Sequence, residues 1–296
     1  MSVAFRVNYK SRVSSTPLPS EGLGEEFRLE GTNGSLVLLI HGLTGTPHEM
    51  RSLANSLNRQ GYAVITPCLK NHGQPLEILQ ETRWQEFHQT VRDAFIADKD
   101  RYEQVFVAGL SMGALLGLLL AEEAPDKVSG VSCLSPTLFY DGWNTPWYRC
   151  FLPLIYILPP LERRIYFKEE PPYGIKNEAV RKRVHKYYSQ ANFDNMGNVG
   201  QYGYPYFPVV MLHRLQRLAR YLIPRLKNVT SPVQLIQARD DDMTSIRNSQ
   251  FIYNRVSSKI KEVVLLDDSY HVITADQQRE RVSDEVIRFF GKLKKP

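Results

Sequence analysis

The sequence predicts an α/β protein: a mostly parallel, doubly wound sheet with a helical cap inserted after the strand that ends near Ser135. Three observations predict it. Short β-rich runs alternate with helical patterns along two stretches of the chain, and strand-then-helix repetition closes into a parallel sheet with right-handed crossovers. The first of these runs, LVLLI at 36–40, is apolar throughout rather than alternating, which is how a strand reads when helices cover both faces. The rhythm then stops after Ser135-Pro136 and resumes only at Val233.

In order, the strand at 36–40 is followed by a helix over 47–59, with Pro47 in its first turn and Gly61 just past its end. A strand at 63–66, a helix over 84–96, a strand at 105–108, a helix after Ser111 and a strand at 128–134 complete the first stretch. The second stretch carries a strand at 233–238 (VQLIQA), a helix over 245–256, a strand at 262–266 and a helix over 276–293. The core is therefore expected from 1–135 and 229–296, and the cap from 136–228. In such sheets ligands bind beyond the carboxyl ends of the strands. Residues that carry chemistry should then fall just after strands.

Composition sets outer bounds. With 296 residues, 43% hydrophobic and 23% charged, the chain has the make-up of an ordinary globular protein. A formal net charge of +6 permits acidic partners without requiring them. Cys68, Cys133 and Cys150 form neither a metal-ligand spacing nor an even disulfide framework, so a reducing compartment and no metal are expected. The first residues, MSVAFRVNYKSRVSSTPLPSEGLGEEF, lack the continuous apolar run of a signal peptide, and the longest apolar stretch, CFLPLIYILPPL from Cys150, is short and broken by prolines. The expectation is a cytoplasmic protein. Nucleic acid is not expected as a partner, because the basic residues belong to the cap and no recognition motif accompanies them.

The stretch VFVAGLSMGALLGLLLA, from Val105, places Ser111 between a buried strand and an apolar helix, with Gly109 and Gly113 two residues to either side. This G-x-S-x-G pattern fits a nucleophile elbow, in which a tight strand-to-helix turn lifts the serine hydroxyl above the sheet. A serine hydroxyl is a weak nucleophile until a base takes its proton, and that base needs a carboxylate to orient it. His271, in LLDDSYHVITAD, is the histidine that follows a late strand. The strand before it ends in LIQARDDDMTSI, which offers Asp240, Asp241 and Asp242. Ser, Asp, His is also the chain order of α/β-hydrolases. Backbone N–H groups must meet the developing oxyanion, and Met112 and Leu43, in the HGLTG loop, are the expected donors. His41 reads as a structural residue shaping that loop, and His72 as ordering a neighbouring one.

Taken together, LVLLIHGLTGTPHEM, GYAVITPCLKNHG, VFVAGLSMGALLGLLLA, QLIQARDDDM and SYHVITADQ resemble the small bacterial carboxylesterases and monoacylglycerol lipase-like enzymes of the α/β-hydrolase superfamily, over residues 35–135 and 230–293. The resemblance implies the α/β-hydrolase fold. It also selects Asp241 from its two neighbours, leaving Asp240 and Asp242 as solvated turn residues, and places His271 in an S-x-H-V-I-T-x-D-Q block. Tyr270 departs from the glycine usual in that block, and is expected to narrow the site beside His271. The implied activity is a serine hydrolase cleaving acyl ester or monoacylglycerol-like substrates through an acyl-enzyme on Ser111, with no cofactor. The same machinery also suits a thioesterase or acyltransferase acting on acyl-CoA or acyl carrier protein thioesters. A noncatalytic binding protein on the same fold is a third reading, opposed by the presence of all three groups in order.

In the cap, Phe139, Trp143, Trp147 and Phe151 fall in quick succession and are expected to line an acyl pocket, or else to form the cap's own small core. Basic runs at 163–164, 181–186 and 213–227 concentrate positive charge there. In the last run Leu212, Leu215, Leu218, Ala219 and Leu222 share one helical face. A docked helix with a solvated basic face is one expectation. A contact with an anionic membrane surface or an acidic acyl carrier is the sharper one.

Overall fold

The computed structural model describes residues 2–5, 24–189 and 203–294. Its strands are β1 (Ser2–Phe5), β2 (Phe27–Leu29), β3 (Ser35–Ile40), β4 (Ala63–Thr66), β5 (Gln104–Leu110), β6 (Val128–Leu134), β7 (Ile165–Lys168), β8 (Tyr206–Pro208), β9 (Val233–Ala238) and β10 (Lys261–Leu266). Seven of them form the central sheet in the order β10-β9-β6-β5-β3-β4-β2. Every neighbouring pair is parallel except β2, which runs antiparallel to β4 at the edge. Three residues long and only half-buried, β2 leaves too short a pattern to read from sequence.

The helices are α1 (Arg51–Arg59), which continues a 3-10 turn at Pro47–Met50, α2 (Leu76–Leu79), α3 (Trp84–Asp98), α4 (Met112–Glu123), α5 (Leu152–Tyr156), α6 (Pro159–Glu162), α7 (Glu178–Ser189), α8 (Val209–Leu222), α9 (Arg247–Arg255) and α10 (Arg279–Leu293). Every residue of β3 is buried because alternate side chains feed two separate cores. Leu36, Leu38 and Ile40 pack with α3, α4 and α8, whereas Val37 and Leu39 pack with α1 and α10. Every residue of α4 from Met112 to Ala121 is buried, sandwiched between the sheet and α3 and α8. That is why its apolar pattern has no polar face.

The chain between β6 and β9 carries α5 to α8, β7 and β8. Helix α8 docks on α3 and α4 through the expected face, with Leu212, Leu215, Leu218, Ala219 and Leu222 all buried. Strand β8 pairs with β7, and on the other side of β7 the N-terminal strand β1 adds antiparallel, with Ser2 opposite Lys168 and Phe5 opposite Ile165. The sequence pattern groups residues 2–5 with the core; in the fold their backbone N–H and C=O groups are paired with the inserted segment. Among the described residues no helix is long and apolar enough to cross a membrane.

Candidate active site

Strand β5 runs into α4 with Ser111 as the only residue between them, at φ 56° and ψ −112°. A left-handed φ on a residue with a Cβ costs about 1–3 kcal/mol and persists only where the surroundings enforce it. Here they do. The Ser111 N–H donates to the carbonyl of Leu134 at 2.8 Å, tying the turn to β6. A Cβ at Gly109 would stand 2.3 Å from the Gly113 carbonyl carbon, and one at Gly113 would stand 2.2 Å from the Ile40 oxygen. Only glycine fits at either place, so the G-x-S-x-G spacing is the imprint of a turn tight enough to crowd its own backbone.

The loops after β9 and β10 bring the other two groups to Ser111. His271 Nε2 lies 3.0 Å from Ser111 Oγ, and His271 Nδ1 lies 3.0 and 2.9 Å from the two Asp241 carboxylate oxygens. Asp241 Oδ1 also accepts from the Met243 and Thr244 N–H groups at 2.9 and 2.8 Å, and Oδ2 from the Thr244 hydroxyl at 3.0 Å. The carboxylate is thus held by donors on both oxygens, which fixes the plane in which it meets the imidazole. Burial works against an imidazolium at His271, but the charge and hydrogen bond of Asp241 outweigh it and leave the His271 pKa raised. Thr137 Oγ1 sits 2.8 Å from Ser111 Oγ and 3.2 Å from the Ser135 carbonyl.

The neighbouring aspartates part company. Asp240 is solvated, with its side chain 61% exposed. Asp242 is not a solvated turn residue: it is 1% exposed and accepts from the backbone N–H groups of Gly174 at 3.1 Å and His271 at 3.3 Å. Burial pushes its carboxyl up to about 6. Asp276, also buried, accepts from Lys176, Asn177 and Tyr270 backbone N–H groups at 2.7 to 3.0 Å. Two carboxylates therefore staple the segment entering α7 onto the His271 loop. Tyr270 does not narrow the site; its ring packs on Trp143, centroids 5.6 Å apart, away from the cavity.

On the opposite side of Ser111 stands the loop after β3. The Leu43 N–H carries no hydrogen bond among the described residues, and the Met112 N–H, first in α4, has no carbonyl one turn behind it to bind. His41 is fully buried, with Nδ1 2.9 Å from the Gly42 carbonyl and Nε2 accepting from the Leu69 N–H at 3.1 Å. Burial pushes its pKa down to about 4, so it is a neutral strut between two loops. The residue that pins the loop is one the sequence reading passed over: the Glu49 carboxylate accepts the Gly42 N–H. It lies where a Cβ at Gly45 would be, 2.3 Å from Oε2, and burial pushes it up to about 7.

Ser111 and His271 open on a cavity of about 130 Å³, bounded by the HGLTG loop, Leu212 and Leu215 of α8, and the tyrosines 140, 173, 188 and 204. The expected lining by Phe139, Trp143, Trp147 and Phe151 is corrected: none of the four reaches it. Phe139 is drawn aside onto Phe251 and under Arg247. Trp143 donates its indole N–H to the Asp240 carbonyl at 2.9 Å, and with Trp147 and Phe151 it is exposed, by 59%, 79% and 51% respectively. Glu169, just past β7, lines the cavity with its carboxyl pushed up to about 7 by burial. Neither Glu169 nor the tyrosines follow a core strand, so nothing in the strand-helix rhythm pointed to them.

A family model described as serine aminopeptidase, S33, matches residues 31–278. A thermostable monoacylglycerol lipase of Bacillus sp. (strain H-257) is 29% identical over 257 residues, covering 86% of this chain and 90% of that protein. A carboxylesterase of Bacillus subtilis (strain 168) is 27% identical over 263 residues, covering 87% and 92%. Among solved structures, one from work on LipS and LipT, two metagenome-derived lipolytic enzymes, superposes with a TM-score of 0.76 at 26% identity, covering 94% of this chain and all of that one.

Proposed function

The chain belongs to the serine aminopeptidase S33 family and is a carboxylic ester hydrolase with the α/β-hydrolase fold; we propose that Ser111 is its nucleophile, His271 its general acid and base, and Asp241 the group that orients the imidazole. The observation that carries this assignment is the continuous hydrogen-bonded chain Ser111 Oγ, His271 Nε2, His271 Nδ1, Asp241, with each residue just beyond the carboxyl end of a strand. Ser111 Oγ attacks the ester carbonyl while its proton passes to His271 Nε2. The Nδ1–H donated to Asp241 holds the tautomer that leaves Nε2 free to accept. The imidazolium then protonates the leaving alcohol, and water, deprotonated by the same histidine, releases the acid. The Leu43 and Met112 N–H groups receive the oxyanion, at about 3 kcal/mol of transition-state stabilisation each. Thr137 Oγ1, 2.8 Å from Ser111 Oγ, gives the nucleophile a second hydrogen-bond partner beside His271.

Glu169 lines the same cavity, close enough to His271 to feel its charge. A carboxyl there offers a hydrogen-bond partner to hydroxyls on the leaving alcohol, which favours a monoacylglycerol-like ester over one with a plain apolar alcohol. At about 130 Å³ the cavity is below the ~300 Å³ at which ligand pockets begin. Short acyl chains are therefore expected to turn over fastest. Hydrolysis of p-nitrophenyl esters of graded chain length, by wild type and Ser111→Ala, tests the assignment; full activity in the variant would sink it.

The peripheral membrane contact is supported by Trp143, Trp147, Phe151, Leu154, Ile157 and Leu158, all more than half exposed along one short stretch of the inserted segment, with the exposed Arg149 among them. Contiguous exposed apolar side chains beside cations suit an anionic lipid surface. Co-sedimentation with anionic and neutral vesicles measures it, and equal absence from both pellets would refute the contact.

A further inference from the structure

Beside the Ser111 cavity lies a second cleft, of about 390 Å³, between the start of α1, the segment from Tyr173 into α7, and the turn that leads from His271 to α10. Its volume falls within the range of small-molecule sites. Its charge is one-sided: Arg51, Arg183 and Arg279 line it, and the single carboxylate of its lining, Glu49, is turned to the Gly42 N–H. Each guanidinium has a neighbour of its own, Arg51 over the Phe27 ring at 4.4 Å, Arg183 Nε at 3.4 Å from the Ala179 carbonyl and Arg279 at 3.8 Å from Glu280, and these long contacts leave guanidinium N–H donors spare. An anion in the cleft meets three cations at once. A separate observation points the same way: Thr274, which also lines the cleft, is 2% exposed and its hydroxyl has no hydrogen-bond partner among the described residues. A buried hydroxyl without a partner is costly, and an oxygen-rich ligand satisfies it.

We propose that this cleft is an anion subsite for a phosphate carried on the leaving group of the ester substrate. Glu49, Tyr173, Tyr188 and Val272 line both the cleft and the Ser111 cavity, so the two adjoin along these side chains. Val272 follows His271, the residue that protonates the departing oxygen, which sets the cleft on the leaving-group side. The substrate class is an acyl ester of a phosphorylated polyol, 1-acyl-glycerol 3-phosphate being its simplest member: the phosphate enters the cleft and the free hydroxyl meets Glu169. The acyl C–O bond breaks, the acyl group passes to Ser111 Oγ, the departing oxygen takes its proton from His271, and no P–O bond changes. The phosphates of an acyl-CoA leaving group present the same anion from a different source. The proposal rests on the ester hydrolase reading given above.

The test measures turnover of a monoacylglycerol, the 1-acyl-glycerol 3-phosphate and the acyl-CoA of one short acyl chain, by wild type and by the double variant Arg183→Gln, Arg279→Gln. Calorimetry follows glycerol 3-phosphate binding to the same two proteins. A KM about tenfold or more lower for a phosphorylated substrate than for the neutral ester is expected, lost in the double variant while neutral-ester turnover stays within about twofold. Whichever phosphorylated substrate gains names the source. Glycerol 3-phosphate should bind wild type and not the variant. Equal KM values with no glycerol 3-phosphate binding would overturn the subsite. Absence of turnover on all three substrates would instead fail the hydrolase reading, and the calorimetric arm would still report on the cleft by itself.

Discussion

Ser111 and Trp147 were both singled out from sequence, and they end in opposite situations. The first sits at the carboxyl end of a fully buried strand, its backbone fixed by two crowded glycines and its hydroxyl 3.0 Å from His271. The second, in the inserted segment, is 79% exposed and takes no part in the lining of the cavity it was expected to line. The difference lies in what dictates side-chain direction. In a parallel sheet the topology alone delivers the residue after each strand to one edge. In short cap helices the direction depends on which face finds a neighbour, and the tyrosines that do face Ser111 come from separate turns and helices.

Substitutions sharpen that contrast. The largest effect is expected in the strand-end half. Asp241→Asn should lower kcat by about 10⁴, because the amide favours the wrong imidazole tautomer. The pH profile adds a second reading. His271 acts as a base only when neutral, and Asp241 raises its pKa, so wild-type kcat/KM should fall as pH drops through a value above the usual 6.5. In the variant that acid limb should move to lower pH. An unshifted limb would mean that another group sets it.

Next, Tyr188→Ala opens the cavity wall and should raise KM by about tenfold for a short ester, within the range that one apolar contact commands. Trp147→Ala should leave turnover of soluble esters within about twofold. If Trp147→Ala proves the more damaging, the two halves of the cap have been assigned the wrong way round. A smaller effect than that of Tyr188→Ala belongs to Thr137→Val, which removes one neutral hydrogen bond to Ser111. About 1 kcal/mol, or roughly fivefold in kcat with KM unchanged, is expected.

The strands at 63–66, 128–134 and 233–238 were legible to the residue, since short β-rich runs set between turns and helical patterns leave little room for a shift. The meeting of Ser111 and His271 was legible as well, because an elbow needs its glycines and both residues were expected just after strands. Asp242 was not. Its neighbours in the triple aspartate look alike in sequence, and only the approach of Gly174 and His271 from elsewhere in the chain buries one and leaves another in water. Glu49 hid for a similar reason. An acid at the start of a helix usually reads as a solvated dipole partner, and here it turns inward to hold Gly42. The pairing of β1 with β7 joins residues separated by the first stretch of the core and the start of the inserted segment, a link no local pattern encodes.

The most direct measurement is peptide mapping by mass spectrometry after reaction with a fluorophosphonate, on wild type, Ser111→Ala and His271→Ala. A single adduct on the peptide containing Ser111, absent from the first variant and strongly slowed in the second, is the expected result. An adduct on a different residue, or labelling of Ser111 that proceeds unchanged without His271, would contradict the relay from Asp241 through His271 to Ser111.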